Sequence, residues 1–260
     1  WWGIIVELQL IQYFVTGICA WGNKEFLTRE FGKLPLKAKS LWNLSLSSRF
    51  YLLLFPSLLV LFFFLPAATF VHVSLWIISR FFAQSFESII TTHKKFGYAL
   101  AIEISSALIL SAGVILLFNT ITLNQILLLI TLSNLARPLA YLILFRSWVY
   151  PSQWFKPAVK ILKQSIPFML LAFTGLIQTK IDLALVDMLM PKTELARYQI
   201  FTNFLILIRT GSAFLLYPFL SNIYRLPVEK IKRVSNVLFW AGMIISDCGL
   251  MALSVLMHYV

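Results

Sequence analysis

The sequence contains repeated apolar runs of about 20 residues, the length that a helix needs to cross the apolar layer of a membrane. Closed membrane barrels show shorter segments of alternating polarity, and this sequence lacks them. With 60% hydrophobic and only 12% charged residues, the chain has too few polar side chains to cover a soluble core. The sequence therefore predicts an all-α integral membrane protein with about eight transmembrane helices, at 1–21, 47–66, 69–92, 97–118, 121–145, 165–190, 194–220 and 233–258.

Basic residues are concentrated in alternate joints between these runs. They cluster in 22–49, 94–95, 146–163 and 225–233, whereas the joints near 66 and 119 contain none. Because positively charged loops stay in the cytoplasm, the first run is predicted to cross from outside to inside. The net charge of +12 then reflects topology and attraction to anionic lipid head groups, so no nucleic-acid partner is needed to explain it.

The sequence offers no motif for a metal, a cofactor or catalysis. Its two cysteines, Cys19 and Cys248, lie far apart in apolar runs, and its three histidines are scattered. No Gly-rich phosphate loop or HExxH motif is present. We therefore expect neither an enzyme nor a resident cofactor. Both ends of the sequence lie inside apolar runs, so further spans are expected beyond them.

Four basic residues lie near the middle of predicted spans, where a charge costs roughly 2.5–3.5 kcal/mol and should face protein or water. Two interpretations stay open: these bases form structural pairs with acids of the same spans, or they line a hydrated cavity. Glu87 follows Arg80 by seven residues, on one face of a continuous helix. Asp187, near Lys192 at the outer end of its span, is expected to be structural. The candidates are the bases Arg80, Arg137, Lys180 and Arg209 and the acids Glu7, Glu87, Glu103, Asp182, Asp187 and Asp247.

Several short motifs resemble those of polysaccharide flippases, a family that belongs with the multidrug and toxin extrusion transporters and the lipid II flippases. The family shows Ser-x-Pro, then a base and an aspartate separated by one apolar residue, then a small residue and a tyrosine that open the next helix. The matching residues are Ser165–Pro167, Lys180–Asp182 and Ala196–Tyr198, and Leu27–Glu30 (Leu-Thr-Arg-Glu) resembles the end of the family's second span. Ala196 departs from the glycine that the family often has.

This resemblance implies a two-lobed transporter fold of twelve to fourteen spans in the bacterial cytoplasmic (inner) membrane, with this chain supplying spans two to nine. The expected division is an N-terminal lobe at 1–145, a cytoplasmic linker or interfacial helix at 146–164, and a truncated C-terminal lobe at 165–260. The implied substrate is a polyprenyl-pyrophosphate-linked oligosaccharide for surface polysaccharide such as O-antigen or capsule. Candidate partners are membrane lipid and other membrane proteins of polysaccharide assembly.

The resemblance also implies roles for the charges. Arg80, Arg137, Lys180 and Arg209 would hold the pyrophosphate, because guanidinium and ammonium groups match phosphate oxygens. Glu87 and Asp182 would pair with these bases, or take up the proton or sodium ion that drives transport. A drug–cation antiporter of the same fold remains an alternative, although it predicts an acidic cavity. A membrane glycan polymerase or ligase would need a longer outward loop, and a scaffold would leave the mid-depth bases unexplained.

Overall fold

A computed structural model of the protein describes residues 2–117, 122–150 and 157–206, together with Asn236, Trp240, Gly242 and Met243. Up to Leu189 the described chain is built of α-helices joined by short turns. Their bounds are α1 Trp2–Ala20, α2 Asn23–Lys33, α3 Ala38–Arg49, α4 Phe55–Phe64, α5 Ala67–Ser85, α6 Glu87–Thr92, α7 Phe96–Leu116, α8 Leu123–Leu144 and α9 Val159–Leu189.

Five of the described helical stretches are long and apolar enough to cross a membrane: Trp2–Lys33, Pro35–Phe64, Phe96–Leu116, Leu123–Leu144 and Val159–Leu189. No strand occurs among the described residues. The prediction of an all-α protein is therefore confirmed for this part of the chain, and the apolar helices support its membrane character. The count of eight spans stays a prediction: the predicted span 69–92 is not among these five, and 207–235 and most of the last apolar run lie outside the described residues.

Two predicted segments differ in detail from the structure. The predicted span 69–92 is divided at Phe86, where α5 ends and the short helix α6 begins. The predicted linker 146–164 contains the start of α9, which begins at Val159 and continues without a break past Pro167. Both differences arise because apolar periodicity reports which residues avoid water, and it carries little information about where a helix turns.

A π-helical turn at Phe50–Leu54 joins α3 to α4, so that one helix runs from Ala38 to Phe64. Pro56 has no N–H to donate to the carbonyl of the preceding turn, and a wider turn relieves the mismatch. The N–H of Phe55 accordingly bonds to the carbonyl of Phe50, five residues back. The mixed sequence of 23–48 predicts amphipathic helix at the membrane interface; its second half, α3, instead buries Trp42 and Asn43 completely.

Contacts group the chain into two units, Gly3–Ala184 and the residues from Leu185 onward. In the first unit, α8 packs against both α5 and α7, and α2 packs against α6. An aromatic cluster fills one end of the core, where the ring of Phe86 lies 5.1 Å from Trp42 and is stacked on Phe145 at 5.8 Å. The indole N–H of Trp42 donates to the carbonyl of Ser85 at 2.8 Å, which secures the break between α5 and α6.

In the second unit, the helix at 192–206 follows a short turn after α9. The ammonium group of Lys192 lies 2.7 Å from the carboxylate of Asp187, as the predicted structural role of Asp187 requires. A second pair, Arg197 with Glu194, joins residues three apart on the following helix at 3.1 Å.

Contacts between α1 and α9 occur in antiparallel order. The indole of Trp21 donates to the carbonyl of Leu162 at 3.0 Å. Gly22 adopts a positive φ of 61° between α1 and α2, and a Cβ at this position would lie 2.3 Å from the backbone carbonyl carbon of Phe168. Farther along, a Cβ at Gly17 would meet the side chain of Leu176. The close approach at Gly22 therefore requires a glycine for both its conformation and its size.

We expect Gly22→Ala to lower the free energy of unfolding by at least about 1–2 kcal/mol, because alanine is strained in the left-handed region and its methyl group would collide with the backbone of α9. Gly32→Ala is the matched control, since it lies inside α2 and an added Cβ there would meet nothing within 4 Å. Thermal unfolding of the purified chain in detergent measures the melting temperatures of both variants. Equal melting temperatures for the two variants would contradict the proposed contact.

Candidate functional site

Arg137 is the most fully bonded of the three mid-depth bases that the structure describes. It lies on α8 next to the helix-internal Pro138, and its side chain is 16% exposed. Its Nη2 atom lies 3.1 Å from the Glu103 carboxylate on α7. Its Nε donates to the hydroxyl of Ser106 at 2.9 Å, and Nη1 reaches the Asn134 side-chain oxygen at 3.4 Å. This base thus has a carboxylate partner, as the structural interpretation of the charges predicts.

Ser106 connects two helices at this point. It is the buried residue of α7, and its hydroxyl donates to the backbone carbonyl of Ser133 on α8 at 2.6 Å. The same oxygen accepts the hydrogen bond from Arg137. Because one hydroxyl group serves both as donor and as acceptor, it fixes the guanidinium relative to both helices.

Arg80 and two tyrosines lie near Arg137. Arg80 on α5, Tyr141 on α8 and Tyr13 on α1 are all within electrostatic range of the Arg137 guanidinium. Within the described part of the chain, Arg80 forms no hydrogen bond or ion pair. The positive charges of Arg80 and Arg137 therefore lie near each other. The Glu103 carboxylate is bonded to one of them, Arg137.

Lys180 approaches the same region from α9. Its ammonium nitrogen lies 4.4 Å from the centre of the Tyr13 ring, a cation–π contact. The side-chain amide of Gln9, one turn earlier on α1, donates to the Tyr13 hydroxyl at 3.2 Å. Tyr13 therefore lies between bases of two other helices, in contact with Lys180 and within electrostatic range of Arg137. Three of the four predicted bases are thus linked one to the next, Lys180 to Arg137 through Tyr13 and Arg137 to Arg80; the fourth, Arg209, lies outside the described residues.

The two predicted acids of the site have other contacts. The carboxylate of Glu87 pairs with Lys24 of α2 at 3.2 Å rather than with Arg80, because the break at Phe86 ends the helical face that the two residues would share. Glu87 still acts electrostatically on Tyr141. The carboxylate of Asp182 accepts the backbone N–H of Leu183 at 2.8 Å.

The sequence prediction missed the polar face of α1. Gln9, Gln12, Tyr13 and Thr16 recur at intervals of three and four residues in an otherwise apolar helix, the spacing of a single helical face. Gln12 donates to the hydroxyl of Thr16 at 3.0 Å, and Gln9 supports Tyr13. That spacing is visible in the sequence, but uncharged residues stand out less than charges in an apolar run.

The burial of Arg49 was not predicted from the sequence, which placed this residue at the start of the span 47–66 and counted it with the bases of the adjoining joint. The structure buries it, leaving 2% of its surface exposed. Its Nη2 donates to the Ser85 hydroxyl at 3.0 Å, and the guanidinium lies 5.0 Å from the centre of the Phe81 ring. Its Nε has no hydrogen-bond partner among the described residues. The three serines at positions 45, 47 and 48 were the available signal, since small polar side chains let helices approach closely.

A cavity of about 290 Å³ lies near Arg49, between the α3–α4 helix and α5. Its lining is mainly apolar: Leu46, Ser47, Phe50, Tyr51, Ile78 and Phe82. None of the three described mid-depth bases lines it, so it is a separate feature from the cluster around Tyr13. Within the described ranges, no group of three potential metal-ligating side chains occurs.

No model of a known protein family, no curated protein and no solved structure matches the chain. The chemistry of the cluster comes from its own residues: Lys180 and Arg137 supply two positive charges near one tyrosine, Arg80 adds a third near Arg137, and Glu103 pairs with Arg137. Guanidinium and ammonium groups at this density attract anions, and phosphate oxygens in particular suit the planar fork of arginine.

We expect the free energy of unfolding to respond differently when each partner of the hydrogen bond between Arg49 and Ser85 is replaced. Ser85→Ala removes the hydrogen-bond acceptor of a buried charge and should lower the free energy of unfolding by about 1–3 kcal/mol. Arg49→Met removes the charge at similar volume and should leave the free energy of unfolding unchanged or raise it, because an apolar side chain carries no desolvation cost.

The measurement is denaturant unfolding of the purified chain in mixed micelles. In the double variant, Ser85→Ala should have little further effect, since its cost arises from the arginine. A double variant as unstable as Ser85→Ala alone would contradict this account.

Proposed function

We propose that the chain belongs to a membrane transporter that carries a lipid-linked oligosaccharide by its pyrophosphate group across the bacterial cytoplasmic membrane. The observation that carries the proposal is that Lys180 and Arg137 lie near Tyr13 from two other helices, and that Arg80, on a third, lies within electrostatic range of Arg137. Bases at the middle of apolar helices are costly, and a cluster of three exceeds what the Glu103 carboxylate neutralises. A polyanion such as pyrophosphate would supply the missing negative charge.

The roles of the charges follow from their contacts. Arg137 is oriented by Glu103 and Ser106, and its fixed guanidinium fork is suited to binding phosphate oxygens. Arg80 has no ion-pair partner among the described residues and would contribute a second guanidinium. Lys180 contributes an ammonium group on a flexible stem. Arg209 stays a candidate for a fourth base. The pairing of Glu87 with Lys24 favours a structural role for that acid, and Asp182 remains the candidate for proton or sodium coupling.

Transport would proceed by alternating access, with two lobes that expose the bound pyrophosphate first to the cytoplasm and then to the outside. The polyprenyl tail would stay in the lipid. The proposed partners are membrane lipid, the lipid-linked oligosaccharide and other membrane proteins of polysaccharide assembly. A drug–cation antiporter remains the alternative. Tighter binding of cations than of anions at the same site would favour it.

A binding measurement tests the proposal. The purified chain in lipid nanodiscs is titrated with undecaprenyl pyrophosphate, with uncharged undecaprenol and with the lipophilic cation tetraphenylphosphonium. We expect the pyrophosphate lipid to bind most tightly. Arg137→Ala or Lys180→Ala should weaken its binding by roughly tenfold to a hundredfold, as loss of a hydrogen bond between charged groups predicts.

Arg197→Ala is the matched control, because Arg197 is exposed and paired with Glu194 outside the cluster. It should bind the pyrophosphate lipid like the unaltered chain. The proposal is wrong if undecaprenol binds equally well or if the two cluster variants retain full affinity. Preferential binding of tetraphenylphosphonium would instead favour the antiporter.

A further inference from the structure

Lys180 and Arg137 are held in different ways, although both face Tyr13. Arg137 is fixed by a carboxylate, a hydroxyl group and an amide oxygen. Lys180 has no ion-pair partner among the described residues, and its ammonium group rests on the Tyr13 ring at 4.4 Å. A cation–π contact is attractive but lacks the negative charge of an ion pair. Of the two bases near Tyr13, Lys180 is therefore the one that can change partner at the lower cost.

We propose that Tyr13 is a positioning residue for Lys180: its ring holds the ammonium group in the ligand-free protein and releases it to a phosphate-bearing ligand. This inference rests on the proposed function and adds a resting state to its binding site. Charge-assisted hydrogen bonds to phosphate are stronger than a contact with an aromatic face. An arriving phosphate would therefore take the ammonium group from the ring.

The surroundings of Tyr13 suit this role. The amide of Gln9 holds the phenol oxygen at 3.2 Å, so the ring is oriented independently of Lys180. Tyr13 is uncharged, so its ring holds the ammonium group without cancelling the positive charge of the cluster. An acid in its place would hold Lys180 permanently and would repel the phosphate. A tyrosine keeps the base ordered and still available.

The exchange also has a consequence for the helices. Tyr13 belongs to α1 and Lys180 to α9, whose contact at the other end is fixed by Gly22 and by the bond from Trp21 to Leu162. Release of the ammonium group would remove the contact between α1 and α9 at the level of Tyr13 while the contact near Gly22 remains. Binding of the anion would thus loosen one end of this helix pair.

The position of the Lys180 ammonium can be followed by NMR. The full chain is labelled biosynthetically with ¹³C at lysine Cε and placed in nanodiscs, and the signal of Lys180 is assigned with Lys180→Arg. In the ligand-free protein the signal should show an upfield ring-current shift that persists in Tyr13→Phe and disappears in Tyr13→Leu. Saturation with undecaprenyl pyrophosphate should move it to the position seen in Tyr13→Leu.

The chain provides an internal control for this measurement. The ammonium group of Lys95 lies 5.2 Å from the ring centre of Tyr98, at the start of α7 and away from the cluster. Its signal should carry a ring-current shift that the pyrophosphate lipid leaves unchanged. Movement of both signals would indicate a general effect of the lipid and would overturn the inference.

Affinity gives the second test. Because Tyr13 competes with the ligand for Lys180, Tyr13→Leu should bind undecaprenyl pyrophosphate about twofold to thirtyfold more tightly than the unaltered chain, and Tyr13→Phe should bind it equally. Weaker binding by Tyr13→Leu would overturn the exchange. If Arg137→Ala weakens binding but the Lys180 signal keeps its shift at saturation, the exchange is wrong and the proposed function stands. If the lipid does not bind, both are wrong.

Discussion

A charge inside an apolar helix bundle is costly unless a polar or aromatic group stabilises it. In the described helices this requirement determines which helices make polar contacts with each other. Each buried or half-buried base with a bonding partner reaches across to another helix: Arg137 to α7, Arg49 to α5 and Lys180 to α1. Such contacts are directional, whereas the surrounding leucine and phenylalanine side chains can pack in several ways. The bases therefore select one arrangement among the many that apolar burial alone would permit.

These bases are stabilised by different chemical groups, and the difference separates structural charges from available ones. Arg137 has a carboxylate, so that much of its charge is balanced within the protein. Arg49 has a hydroxyl and an aromatic ring as partners and is 2% exposed. Lys180 has an aromatic ring in a half-exposed position. The available positive charge is therefore concentrated where α1, α5, α8 and α9 present their polar residues.

The apolar runs predicted the helices well, because the burial of apolar length is a local property of sequence. They also located Arg137 and Lys180, since a charge inside such a run is conspicuous. The pairing of Glu87 could not be predicted by periodicity, which assumed a continuous helix where Trp42 and Phe86 stabilise a break. The burial of Arg49 could not be predicted for a similar reason, since it depends on α5, which is distant in sequence. Tyr13 was not predicted as a site residue, because it is uncharged and its contact is with Lys180, 167 positions later in the sequence.

The single hydroxyl of Ser106 has a mechanical consequence. It binds a backbone carbonyl of α8 and the Arg137 guanidinium at the same time, so the longitudinal register of α7 against α8 and the direction of the guanidinium are set by one atom. A slide of α7 by one helical turn, about 5.4 Å, would break both bonds together and would also withdraw Glu103. Any sliding of these two helices would thus be transmitted directly to the arginine, which would act as a position sensor between them.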